Sequence, residues 1–421
     1  MRKALFIAIL PIIASMGATA KVIEVCASCA HQSIQQAVEA ADSLDDIRVL
    51  KGRYLTQEVV IEKQISICGE SGSVIDGGGK TIFYVHHNGV SLTNLNLQNV
   101  ATSYVEDRAA IKCNNSDNVH FKNLHISNAF FGILVEKSDH GVIEECEVIG
   151  KVTKETYLES SSGNAIHLWY CNNMSIQNNT VKFHRDGIYF EFVKQSIIEN
   201  NLSDGNLRYG LHFMFSHGNA YRHNRFIRNG AGVAVMYSSE VLMERNEFVD
   251  NWGESAYGLL LKDITDSELK HNRFRNNTIA ISADNSLRVK IAFNQFDKNG
   301  YALRIMGNCM DNTLENNDFL QNSFDVVTNT SKNYNTFNHN YWEEYRGYDL
   351  DGDGVGDVPY RPVKLFSYII AQSQPAIILM RSSFINLLDL AEKVTPVLTP
   401  ETLMDNQPVM RPINDRIKEG I

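Results

Sequence analysis

Three groups of residues have types and spacings suited to chemistry. The first is His212, Met214 and Met236, with His167 and Glu191 at related positions of a repeating pattern. One imidazole and two thioethers are soft donors, the set that Cu(I) prefers. Met also fills gaps in cores, so the same side chains read as ordinary packing as well. The second group is Cys26-Ala27-Ser28-Cys29, either a local disulfide of an oxidising compartment or a thiolate pair for a soft metal. The third is Asp349, Asp351, Asp353 and Asp357 with Gly352 and Gly354 among them, which resembles the ligand loop of a calcium hand. That loop departs from the pattern at its twelfth position, Tyr360, where a bidentate Glu belongs. A metal-free acidic turn is the plainer reading.

The first group is positioned by a repeat. A phrase of apolar, polar, polar, Asn, polar, apolar recurs with its Asn at 179, 200, 224, 246, 272, 294, 317 and 340, in steps of 21, 24, 22, 26, 22, 23 and 23 residues. Such a period means a solenoid. A second phrase in each repeat alternates apolar residues after Gly, as in Gly187-Ile188-Tyr189-Phe190 and Gly210-Leu211-His212-Phe213. Alternation is the mark of a strand with one buried face. The expected fold is therefore an all-β solenoid, a right-handed parallel β-helix with an N-terminal capping helix and a C-terminal helical tail.

The Asn has two physical uses here: it tolerates a left-handed turn, and its amide can bond the Asn of the next coil. Cys146, Leu124 and Leu95 continue the column towards the N-terminus. Eleven such positions make ten steps, a rod of about 48 Å at roughly 4.8 Å per stacked strand.

Laying the Gly phrases over one another gives two outward columns. One runs Leu134, His167, Tyr189, His212, Ala234, Leu260, Ser282, Arg304; the other runs Glu136, Trp169, Glu191, Met214, Met236, Lys262, Asp284, Met306. Met236 then stacks on Met214, with His212 two residues away on the same strand. Neither column pairs two acids at the roughly 5 to 9.5 Å that glycoside cleavage needs. Trp169 and Tyr189 could still stack on a sugar ring, so an exported carbohydrate-binding or glycan-processing protein is the alternative reading.

Residues 1–20 read as an export signal, with Arg2 and Lys3 ahead of an apolar run and Ala18-Thr19-Ala20 as a small-residue cleavage site. The run is interrupted by Pro11 and falls short of the roughly 20 residues a spanning helix needs. A periplasmic location follows, with no membrane span in the mature chain. The net charge of −10 over 421 residues argues against nucleic acid. Ile34, Ala37, Val38 and Ala41 form a helical stripe suited to covering the open end of the solenoid. Lys151 to Ser162 lengthens one coil, as a binding-face loop or a tolerated insertion. The expected divisions are 1–20, 21–345 for the solenoid, 346–362 for the acidic loop and 363–421 for the tail.

The run from Gly347 to Pro362, followed by Leu387-Leu388-Asp389-Leu390-Ala391-Glu392 and by Pro396 to Thr402, resembles the NosD family. The resemblance implies an exported β-helix of the CASH type without catalytic activity of its own. It implies partners as well: a membrane ATP-driven complex of the NosF and NosY type, a copper chaperone of the NosL type, and apo nitrous oxide reductase. It supplies no ligand residues.

Pro375 can open a helix over Ala376–Val394 that carries Ile377, Met380, Phe384, Leu387, Leu388 and Ala391 on one stripe, with Ile378, Ile385 and Leu390 off it. A helix apolar beyond one face needs more than one surface. Ile378, Phe384, Ile385 and Leu388 are the candidate anchors for a partner, and a cap on the rod is the competing reading.

Overall fold

The computed structural model describes residues 20–151, 162–253, 256–330, 332, 334–364 and 403–413, with 366, 369, 379, 382, 387 and 388 of the tail. The export signal, most of the long-coil insertion and the anchors Ile378, Phe384 and Ile385 lie outside them. Each coil contributes one short strand to each of three sheets, of 14, 12 and 13 strands among the described residues. Every strand pairing within these sheets is parallel, between one coil and the next; Leu211, His212 and Phe213, for example, pair with Val233, Ala234 and Val235. The result is a right-handed parallel β-helix of about thirteen turns. Twelve steps of roughly 4.8 Å give a rod of about 58 Å. It exceeds the expected length because coils precede Leu95 that carry no Asn phrase.

Inward positions are apolar and fully buried, and along the 13-stranded sheet they become a column of rings: Phe226, Phe248, Phe274, Phe296, Phe319 and Trp342. Consecutive centroids there lie 4.1 to 5.4 Å apart, and all five contacts are stacked. The Asn column is buried and saturated. Asn224 donates its backbone N–H and its Nδ2 to Asn246 Oδ1, both at 3.0 Å, and Nδ2 also reaches the Ile198 carbonyl at 2.9 Å. Buried amides are tolerated only when bonded in this way.

Two features of the column differ from the sequence reading. Asn201, not Asn200, occupies it, bonding Asn179 on one side and Asn224 on the other. The left-handed residue is the one before the column Asn, as at Asn200 with φ 57° and His223 with φ 53°. The strand leaves its sheet through that residue, and the Asn after it turns inward. A second Asn column runs through 206, 229, 251, 277, 299 and 322. It continues to His184, whose backbone N–H donates to Asn206 Oδ1 at 3.1 Å.

Both ends are closed. Val22–Val25 is the first strand and pairs with Asp46–Val49, so winding begins before the cap helix. That helix, Ile34–Ala40, starts at a Ser33 and Gln36 capping box and buries Ile34, Ala37 and Val38. At the far end the segment from Leu403 to Ile413 returns to the rod and meets it through isolated β-bridges at Asp405 and Val409. Asp405 Oδ2 accepts from Asn340 N, Asn340 Nδ2 and Trp342 Nε1, each at 3.0 Å, in the place of the next column Asn. The tail is thus not helical throughout, and this segment supplies a cap.

Candidate functional site

The 12-stranded sheet carries both outward columns in the expected register: Glu191 pairs with Met214 and Met214 with Met236. Met214 and Met236 are half-buried at the ends of their strands, Tyr209–Met214 and Ala231–Met236. The Tyr189 hydroxyl donates to Met214 Sδ at 3.6 Å. Its ring is held between His167 and His212, with centroids at 4.7 and 4.9 Å.

His212 is buried, and its Nδ1 lies 3.5 Å from Asp186 Oδ2 and 3.4 Å from Arg208 Nη2. Arg208 grips Asp186 with Nε at 2.9 Å and Nη2 at 2.5 Å, a bidentate pair. Burial acts to raise the Asp186 carboxyl, but the bonds from Arg208 and His212 outweigh it and hold the group below its usual range. His212 Nε2 is buried with no hydrogen-bond partner among the described residues. With its proton on Nδ1, towards the Asp186 carboxylate, the ring would keep the Nε2 lone pair for a ligand.

Asp186, Arg208 and Tyr209 were absent from the outward columns. Alternation breaks at the Gly corner, so residues three apart face the same way: the rings of Tyr209 and His212 are 4.7 Å apart. The signal was there, since Asp186 and Tyr209 stand immediately before Gly187 and Gly210. A Cβ at Gly210 would lie 2.6 Å from the Gly232 carbonyl oxygen and 2.8 Å from Asn229 Nδ2, which is why the corner needs glycine.

Of the other two residues of the first group, Glu191 stacks on Met214 and His167 does not reach the Met pair. His167 is separated from His212 by Tyr189, and burial, helped by the Arg185 charge, pushes its pKa down to about 3. Glu191 stands between Trp169 and Met214, within bonding reach of the Tyr189 hydroxyl. Cys26 and Cys29 are joined as a disulfide near the N-terminal end. An oxidised pair offers no thiolate to Cu(I), so this pair is not a copper site in this state.

In the acidic loop, carboxylate oxygens of Asp349, Asp351 and Asp353 lie within 4.8 Å of one another, while Asp357 accepts the Leu350 N–H at 2.7 Å. Asp349 accepts from the amides of Gly352, Asp353 and Gly354 at 2.7, 3.2 and 2.9 Å. Left-handed Gly352 (φ 76°) and Gly354 (φ 89°) make that wrap possible.

Of the candidate anchors, Leu388 packs against the cluster formed by Phe324 and Val327 of the rod and Phe366 of the tail. The last coil leaves Phe324 and Val327 apolar on its outer surface, and the tail covers them. Leu387 beside it is 64% exposed. No helix among the described residues is long and apolar enough to cross a membrane.

The soft donor pair beside a buried, unpartnered imidazole nitrogen fits a soft monovalent metal better than it fits hydrolytic chemistry. The fold defines the class, a parallel β-helix. Among solved structures the chain is similar to the Yersinia enterocolitica family 28 exopolygalacturonase, with TM-score 0.58 and 11% identity over 77% of this chain and 78% of that one. It is also similar to the A-module of the Azotobacter vinelandii mannuronan C-5 epimerase AlgE6, with TM-score 0.53 and 14% identity over 73% and 88%. These likenesses speak to the fold alone.

Sequence comparison is more specific. Residues 148–347 match the family model of NosD, described as a periplasmic copper-binding protein. A Pseudomonas aeruginosa relative named as a probable ABC transporter binding protein NosD is 27% identical over 379 residues, 86% of this chain and 87% of that one. A Stutzerimonas stutzeri relative of the same name is 28% identical over 130 residues, 30% of each chain. The chain is thus similar to NosD proteins in sequence, over most of its length in the Pseudomonas aeruginosa relative.

Proposed function

We propose that this protein is a non-catalytic periplasmic accessory that presents Cu(I) during assembly of the copper centres of nitrous oxide reductase. It works with a membrane ATP-driven complex of the NosF and NosY type and receives copper from a NosL-type chaperone. The observation that carries the reading is the in-register pair Met214 and Met236 beside the buried His212, whose Nε2 has no partner among the described residues. Copper here is cargo: Met214 and Met236 would hold it by sulfur, His212 would add nitrogen, and Asp186 with Arg208 would fix the imidazole. The family description and the relatives' name support the copper and ABC-transporter elements.

Replacing Met214 and Met236 together by Ala tests it. The expected result is loss of Cu(I) uptake and of reductase maturation with an unchanged melting temperature; normal uptake would make the pair mere packing. The carbohydrate reading is weaker on geometry. Asp186 is locked to Arg208, and Lys137 Nζ stands 5.4 Å over the Trp169 ring that a sugar would need. The acidic loop is proposed as a calcium site that orders the junction between rod and tail.

A further inference from the structure

Tyr189 has a relation to the Met pair that neither packing nor copper ligation requires. Its ring is fixed between two imidazoles and is nine-tenths buried, so the hydroxyl has little freedom beyond rotation about its own C–O bond. That hydroxyl donates to Met214 Sδ at 3.6 Å. A thioether sulfur has two lone pairs, and a hydroxyl bonded to one of them competes with a metal for the sulfur's electron density and for the space beside it. A second acceptor is within reach, the Glu191 carboxylate two residues along the same strand.

We infer that Tyr189 is an affinity-setting gate of the copper site, its hydroxyl occupying Met214 Sδ when the site is empty and turning to Glu191 when Cu(I) arrives. This rests on the copper reading above. No proton changes owner: sulfur gives a lone pair to the metal, and the O–H exchanges one acceptor for another. Without Glu191 the entering metal would leave a buried hydroxyl unbonded, which is costly. The competition weakens binding and speeds release, as a site that hands its metal on requires.

The test is Cu(I) competition against bicinchoninate under reducing conditions, with the release rate followed by the chelator's colour. Tyr189→Phe keeps the ring and removes the donor, and it should bind Cu(I) about two- to tenfold tighter and release it correspondingly more slowly, the worth of one neutral hydrogen bond. Glu191→Ala removes the alternative acceptor and should weaken binding, an effect that should shrink in the Tyr189→Phe background. Circular dichroism melts establish that each variant keeps the fold. Unchanged affinity in a folded Tyr189→Phe protein that still needs Met214 overturns the gate and leaves the copper reading standing. Absence of Cu(I) uptake by the wild-type protein overturns both.

Discussion

His184 is a weak point of the rod in acid, and His184→Asn should repair it. The residue stands in the second Asn column, fully buried, with both ring nitrogens unpartnered among the described residues. Burial pushes its pKa from an ordinary 6.5 down to about 4. The sign follows from proton binding: between those values the unfolded chain holds a proton that the folded one refuses. The stability of the neutral ring is therefore complete above about pH 6.5 and is lost as pH falls towards 4. At pH 4.5 the loss from this one group is about 2.5 kcal/mol, against about 0.2 kcal/mol at pH 7. An Asn at 184 has no such charge to refuse, and its Nδ2 can reach Asn206 Oδ1 as Asn206 Nδ2 reaches Asn229 Oδ1 at 2.9 Å. At pH 7 that bond, about 1 kcal/mol, offsets the smaller side chain's lost packing, so the two proteins should be close. Urea unfolding at pH 7 and pH 4.5 then isolates the term, because every other titration is common to both. A gap that fails to widen by at least about 1 kcal/mol on acidification refutes the assignment of His184 as a neutral buried ring.

Asp405→Ala should destabilise the last coil by about 3 kcal/mol or more, since it leaves Asn340 and Trp342 donors buried without an acceptor, and hydrogen exchange at Tyr341 and Trp342 would register it. Calcium at millimolar concentration should raise the melting temperature, and Asp349→Asn should remove that rise; a calorimetric titration without calcium-dependent heat would count against the loop as a site. Leu388→Glu should cost about 2 to 4 kcal/mol by placing a carboxylate against Phe324, Val327 and Phe366. Leu387→Glu should leave the melt alone and report, through co-purification with the membrane complex, whether the tail's outer side docks a partner.

Much of the sheet register was legible because it rests on a two-residue alternation and a column of one residue type. The pairings of His212 with Ala234 and of Met214 with Met236 follow from the Gly phrases, and the structure has them. What escaped the sequence shares one physical cause, the corners. In Asn200-Asn201 either residue suits a left-handed turn, and only three-dimensional register decides that Asn201 turns inward to the column. The Gly corner reverses the alternation and conceals that Asp186 and Tyr189 face the same way. Asp405 was hidden for a different reason: it meets Asn340 across 65 residues, and no local pattern announces that contact.

The places where the repeat departs from its own rules fall on the coils that carry the candidate site. His184 replaces Asn, Ser203 stands buried in the column that Phe226 to Trp342 fill with rings, and both adjoin the Gly corners at 187 and 210. On the opposite turn Tyr170, Phe192, Phe215 and Tyr237 hold left-handed backbone with φ of 50° to 56°, where neighbouring coils have Asn115, Lys137, Asp263 and Asn285. Bulky rings are poor residents of that conformation, and the cost is only partly offset by stacking at 4.5 to 5.1 Å. These rings follow directly on Trp169, Glu191, Met214 and Met236 in the chain, so each aromatic flanks one member of the Met214 column. Local strain that the fold does not need tends to gather where function does. Replacing all four by Asn would relieve the turns, and on this argument it should stabilise the rod while exposing the thioethers to water. A quadruple variant that is less stable than the parent would instead make the stacked rings a structural brace, and would remove them from any account of the site.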